Sequence, residues 1–202
     1  SRGLGDVYKR QEFINFKKKY ENLLVKYDVS ENEKIKYEIY KIKNLGEYND
    51  ISKKEKKVTS LLNQLKKLNY ENYIKRNPFL DEQTFKAELQ RLRLEVYRIY
   101  SEVLLSTGRK IQAVNIIKNQ IVFYESFRNS NEYSAIISND KLSQYKDTNQ
   151  TLPDLYHQII LLFTDLKDQE NYKKYSLESL KLCKILEKNN LNDQCYRINL
   201  SI

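Results

Sequence analysis

The sequence predicts an all-α chain, arranged as an array of helical hairpins, on three observations. Turn-forming residues are scarce, with 4 Gly and 2 Pro in 202 residues, whereas sandwiches and barrels need a turn signal every ~8–12 residues. Apolar side chains recur in steps of three and four and nowhere alternate over strand length, as expected of helices that bury one face. Short segments that close one apolar helix and open another recur along the chain, as copies of one supersecondary unit do.

The first helix is expected over about 12–27, from the spacing of Phe13, Phe16, Tyr20, Leu23 and Tyr27. Residues 1–11 lack that stripe and resemble a translated adapter sequence, so they are set outside the fold. Ser30-Glu31-Asn32-Glu33 has the form of a capping box, with Ser30 and Glu33 each satisfying the other's amide. It opens a helix bearing Ile35, Ile39 and Ile42 that stops at Leu45-Gly46, where glycine tolerates a left-handed turn. The helix after it carries Ile51, Val58, Leu61, Leu65 and Leu68. Asn77-Pro78 marks the next break, because proline restricts the residue before it and suits a helix's first turn.

The strongest stripe follows. Phe85, Leu89, Leu92, Val96, Ile99 and Val103 define a helix of about six turns, ending at Thr107-Gly108. Ile111, Val114, Ile117, Ile121 and Tyr124 form its returning partner. Periodicity then fades between Arg128 and Gln150, which predicts a long loop with one short helix over 133–137. Thr151-Leu152-Pro153-Asp154 opens a last hairpin, with Leu155, Ile159, Leu162 and Leu166 before a turn near Lys167-Asp168, and Tyr172, Leu180 and Leu186 after it. The hairpins thus span about 30–74, 79–128 and 152–189 within a helical region of 12–202.

The turns Leu45–Ile51, Thr107–Ala113 and Leu166–Tyr172 align with one another. That layout resembles the tetratricopeptide repeat, whose paired antiparallel helices meet at a turn of the Leu-Gly-Asp-Tyr kind. Ser101 and Ala113 fall where the family has small residues, and Tyr97, Leu104 and Ile117 fall where it has large apolar ones. Ile39, Ile51, Ile160 and Tyr172 stand instead of small residues, and the turns are spaced at nearly twice the family's ~34 residues. The alternative architecture is an irregular helical bundle with the same periodicity. The resemblance implies a superhelix that binds a peptide or a partner helix on its concave side, with no catalysis and no cofactor. It further implies a groove lined by Lys36, Tyr40 and Lys43, then Glu95, Arg98 and Glu102, then His157 and Asp165. The family's carboxylate-gripping members use a Lys and an Asn there; Lys36 fits, but Tyr40 stands where Asn is expected.

Catalytic chemistry finds little support. A nucleophile needs a base within reach, and the one histidine, His157, sits between Tyr156 and Gln158 and is expected to be solvent-facing or structural. No glycine-rich phosphate loop is present, since Gly46 and Gly108 stand alone. Cys183 and Cys195 lack the second close pair a zinc site needs and cannot make a disulfide framework, so Cys183 is expected as a small core residue. Glu88, Glu95 and Glu102 form a row on one helix, expected to be a solvated side or part of a groove for a basic peptide.

The net charge is +9, and the basic excess lies in the first half. Lys17-Lys18-Lys19, Lys53-Lys54-Glu55-Lys56-Lys57 and Lys66-Lys67, with Tyr70 and Tyr73 nearby, make nucleic-acid binding the alternative function. Lysine far outnumbers arginine, however, and the tracts spread round the polar arc of a helix instead of forming one ridge. The longest apolar run, Ile159–Phe163, is far short of the ~20 residues that span a bilayer. No membrane insertion and a reducing, cytoplasmic setting are therefore expected. With no Met, and with an apolar segment at 196–200, the sequence reads as a fragment of a longer protein such as a regulator.

Overall fold

The computed structural model describes residues 15, 17–23, 26–27, 29–44, 48, 50–75, 78, 81–128, 148–188 and 195. Their regular secondary structure is helical throughout. The elements are α1 (Glu31–Asn44), α2 (Ile51–Lys67), α3 (Tyr70–Ile74), α4 (Glu82–Ser106), α5 (Lys110–Arg128), α6 (Thr148–Asp165) and α7 (Gln169–Lys188). Residues 17–23 are helical as well, and Tyr20 lays its ring 4.7 Å from that of Tyr37 in α1. The expected adapter segment, the Leu45-Gly46 stop and the short helix at 133–137 lie outside the described residues, and the expected loop ends before Gln150, because α6 already begins at Thr148.

Side chains that take up otherwise unpaired amides fix where the helices start. Asp50 accepts from the amides of Ser52 at 2.8 Å and Lys53 at 3.2 Å, Asn69 from Asn72 at 2.9 Å, and Asp81 from Thr84 at 2.7 Å. Asp168 does the same for α7, accepting from Asn171 at 3.1 Å. The capping box at Ser30 is only half made. Ser30 Oγ accepts from the Glu33 amide at 3.4 Å, but the Glu33 carboxylate turns to Lys36 Nζ at 2.6 Å. The helix after Pro78 starts at Glu82, later than the proline predicts, because Asp81 supplies the cap.

α4 is the spine, 25 residues and about 37 Å long. It packs on α2, α5, α1 and α3, while α6 packs on α5 and α7. Two cores result. Ile35, Ile39, Val58, Leu61, Leu65 and Tyr73 close on Phe85, Leu92, Val96 and Ile99 of α4 to form the N-terminal one. The C-terminal one is richer in aromatic residues and gathers Ile117, Tyr124, Tyr156, Ile159, Ile160, Phe163 and Tyr175. Ser101 and Ala113 are both buried, as close approach of α4 and α5 requires.

The turns α4–α5 and α6–α7 are built alike. Gly108 and Arg109 donate to the carbonyls of Leu105 and Leu104, and Lys167 and Asp168 donate to those of Thr164 and Phe163, residue for residue. Each turn needs one left-handed residue: Gly108 at φ 73° and Lys167 at φ 57°. Arg109 also reaches back to α2, forking onto Glu55 at 2.8 and 2.7 Å, and this bidentate pair holds the Glu55 carboxyl below its ordinary value.

Some expected core residues face outward. Ile51 and Ile111, at the first turns of α2 and α5, lie beyond the packed middle of their helices, and Ile111 is 70% exposed. Leu166 and Leu180 are also exposed, Leu180 beside Leu177 on the outer side of α7. Cys183 is buried as expected, but it is bonded to Cys195 across a sequence separation of 12, with Cα atoms 5.6 Å apart. The expectation of separate thiols in a reducing setting rested on chain spacing, which does not show that both sulfurs enter the same core.

Candidate partner-binding face

On α4 the residues Glu88, Arg91, Glu95, Arg98 and Glu102 advance in steps of three and four, so they form one stripe beside the buried face. α1 lies along it, and Lys36 and Lys43, two turns apart, point to the same side. Lys43 reaches Glu95 at 3.5 Å, and Arg91 shares that carboxylate at 3.5 Å. Lys36 contacts Glu88 and also holds Glu33 at 2.6 Å. Burial alone would lower the Lys36 pKa; its hydrogen bonds to Glu33 and Glu88 outweigh that, and the net direction is upward.

Glu88 corrects the picture of a solvated acidic row. It is only 4% exposed, and the Tyr73 hydroxyl donates to its Oε2 at 2.7 Å. A buried carboxylate is tolerated because a cation and a hydroxyl both reach it. Arg98 and Glu102 meet each other at 3.6 Å and remain 64% and 54% exposed, with Tyr40 exposed on α1. The accessible part of this face is therefore amphoteric, with an aromatic ring beside it.

The last two expected groove residues are not brought to the same place. His157 is half-buried on α6, with Nδ1 enclosed and without a hydrogen-bond partner. Asp165, at the end of α6, accepts a hydrogen bond from Lys110 at the start of α5. Among the described residues no hydrogen bond or ion pair joins either of them to the α1–α4 stripe. Sequence reasoning missed Glu33, Tyr73 and Arg91 as parts of the face. The Glu33–Lys36 spacing was visible, but the Lys36–Glu88 contact depends on how α1 registers against α4.

Charge elsewhere is dispersed. Glu38 takes Lys41 at 2.7 Å and Lys57 at 2.8 Å; burial would raise its pKa, the two lysines outweigh burial, and the net direction is downward. The 53–57 tract is therefore interrupted, with Lys57 paired and Glu55 held by Arg109. Among the described residues no three His, Cys, Asp or Glu side chains are grouped to hold a metal ion, and no helix is long and apolar enough to cross a membrane.

The described residues thus define an all-α protein with a mixed-charge stripe between two helices. No family model, curated protein or solved structure matches the chain.

Proposed function

We propose that the chain is a non-enzymatic binding scaffold, a divergent relative of tetratricopeptide arrays, whose α1–α4 face receives a peptide or partner helix of mixed charge. The observation that carries this reading is the run from Lys43–Glu95 to Arg98–Glu102, with Tyr40 alongside. Exposed ion pairs of this kind contribute little to folding, and their charges are free to exchange partners when an oppositely patterned helix docks. The recurring α4–α5 and α6–α7 turns favour a hairpin array over an irregular bundle. Nucleic-acid binding is the weaker reading, because the lysine tract on α2 is broken by the Glu38 and Glu55 pairs.

The test is fluorescence anisotropy with labelled peptides, one amphipathic helix of alternating Glu and Lys, one all-basic and one all-acidic, alongside a single-stranded oligonucleotide. The mixed-charge peptide should bind, Arg98→Ala should weaken it while leaving the melting temperature in place, and Tyr40→Ala should weaken it too. Binding of the oligonucleotide alone, collapsing between low and moderate salt as counterion release demands, would replace this reading with the nucleic-acid one.

A further inference from the structure

Near the turn that joins them, α4 and α5 pack together, and Ser101, Leu104 and Ala113 are buried there. Further from the turn a cavity of about 390 Å³ lies between them, with α2 as its third wall. On α4 the cavity is lined by Gln90, Leu94 and Tyr97, about a third of a turn around the helix from the Glu88–Glu102 stripe. It is thus a different surface from the proposed docking face. Leu62 and Leu65 of α2 and Phe123 of α5 make much of the remaining wall apolar. The volume falls in the ~300–1,000 Å³ range of small-molecule sites.

The polar groups of the cavity distinguish it from a packing defect. Gln120 is only 4% exposed, and its Nε2 donates to the Ile116 carbonyl at 3.5 Å, which sets the orientation of the carboxamide. Its Oε1 is buried and accepts no hydrogen bond, and Gln90 Oε1 is in the same position. Buried acceptors without a donor are costly, so an apolar residue at position 120 would serve the fold better. Arg93, partly buried, and Lys66, exposed at the rim, also line the cavity, and neither has an ion pair among the described residues. Two acceptors lack donors, and two cations lack an anion, around one apolar volume.

We propose that this cavity binds a small amphipathic acid: an apolar or aromatic body, one hydroxyl or amide N–H donor, and one carboxylate, sulfonate or phosphate group. The apolar body lies against Leu62, Leu94 and Phe123, and the anion sits between Lys66 and Arg93; the donor reaches Gln120 Oε1, which has no accessible surface in the free protein, once the carboxamide turns from the Ile116 carbonyl toward the cavity.

The probe is 8-anilinonaphthalene-1-sulfonate, which has aromatic rings, one N–H and one sulfonate, compared with N-phenyl-1-naphthylamine, which lacks the sulfonate. The full chain should bind the sulfonate at one saturable site, and the methyl resonances of Leu62, Leu94 and Ile116 should shift on binding. Affinity should be about tenfold higher than for the neutral analogue, the equivalent of one good ionic contact. Lys66→Gln with Arg93→Gln should remove that preference. Gln120→Met should weaken the probe by about threefold to tenfold, as loss of one hydrogen bond does, and at the same time raise the melting temperature of the free protein. A structural role for Gln120 gives the opposite sign of that temperature shift. Equal binding of the two probes, resonance shifts confined to the exposed Leu177 and Leu180 of α7, or no binding at all would each overturn the proposal. None of those outcomes bears on the peptide reading, whose variants lie on α1 and on a different side of α4.

Discussion

In the N-terminal core, the packed side chains of α1, α2 and α4 have beside them a buried carboxyl group, Glu88, held by Lys36 and Tyr73. The C-terminal core keeps its charges at the edge instead. Tyr156 is buried and sends its hydroxyl outward to Glu125 at 2.6 Å, while Lys118 sits over the rings of Phe163 and Tyr175 at 5.2 and 5.7 Å. Burial, then the bond to Glu125, pushes the Tyr156 pKa up. This core is closed by a covalent bond, Cys183 to Cys195. The difference concerns specificity. An apolar core tolerates some sliding of one helix on another, whereas a buried carboxylate is satisfied at one register only. The Glu88 contacts therefore set α1 against α4 beside the proposed docking face, and the Cys183–Cys195 bond ties residue 195 to α7.

The largest expected effect comes from α4, which both cores touch. Leu92→Ala should cost about 2–5 kcal/mol in denaturant unfolding, as cavity formation in a packed core does. A silent Leu92→Ala would mean that the buried face of α4 is assigned wrongly.

Reduction comes next. Opening the Cys183–Cys195 bond, which joins residues 12 apart in sequence, should cost about 3 kcal/mol, and hydrogen exchange should report the loosening in α6 and α7 but not in α1 and α2. Uniform loosening would show that the two cores unfold as one unit.

Glu88→Ala should follow at about 2–3 kcal/mol, below the ~3–5 kcal/mol of a fully buried pair because Lys36 keeps partial access to solvent and to Glu33. The double variant Glu88→Met with Tyr73→Phe should recover at least half of that loss, since it leaves no hydroxyl stranded. No recovery would mean that the carboxylate stabilises in its own right and is not chiefly a register device.

Acid should separate the cores most gently. Glu38, Glu55 and Asp81 on the N-terminal side have pKa values below their ordinary 4.5, 4.5 and 3.8, against Asp168 on the C-terminal side, lowered by its hydrogen bonds to Asn171. A depressed carboxylate contributes stability that is present above its ordinary pKa and lost as pH falls through the folded value. The N-terminal helices should therefore loosen first as pH drops below about 4. At the other extreme, the raised Lys36 contributes stability that is present below its ordinary 10.5 and lost as pH rises through its folded value. Earlier acid loosening of α6 and α7, read by resolved hydrogen exchange, would reverse the comparison.

Much of the fold was legible because helix periodicity reports burial directly. Every member of the Phe85–Val103 stripe is buried, and the Thr107-Gly108 stop falls where the structure ends α4. Ile51 and Ile111 were misplaced because period alone does not tell where along a helix the neighbouring element ends, and Leu180 because α7 carries apolar residues on its outer side as well. α3 is too short to show a period. Of the candidate face, Lys36, Tyr40, Lys43, Glu95, Arg98 and Glu102 came from the resemblance to the repeat family, which assigns positions one helix at a time. The burial of Glu88, the Gln120 cavity and the sulfur bond depend on contacts between elements distant in the chain, which periodicity does not encode.

The two matched turns have a consequence for how the protein tolerates change over generations. Position 108 already holds the residue best suited to its backbone, and a Cβ there would meet open space, so any replacement pays only the left-handed conformation. Position 167 bears that strain now, as a lysine at φ 57°. Drift at Lys167 toward glycine or asparagine is downhill in the native state, whereas drift at Gly108 is uphill for nearly every residue, most of all for β-branched ones. Natural variants of this chain should therefore vary more freely at the second turn than at the first, although the two have the same shape.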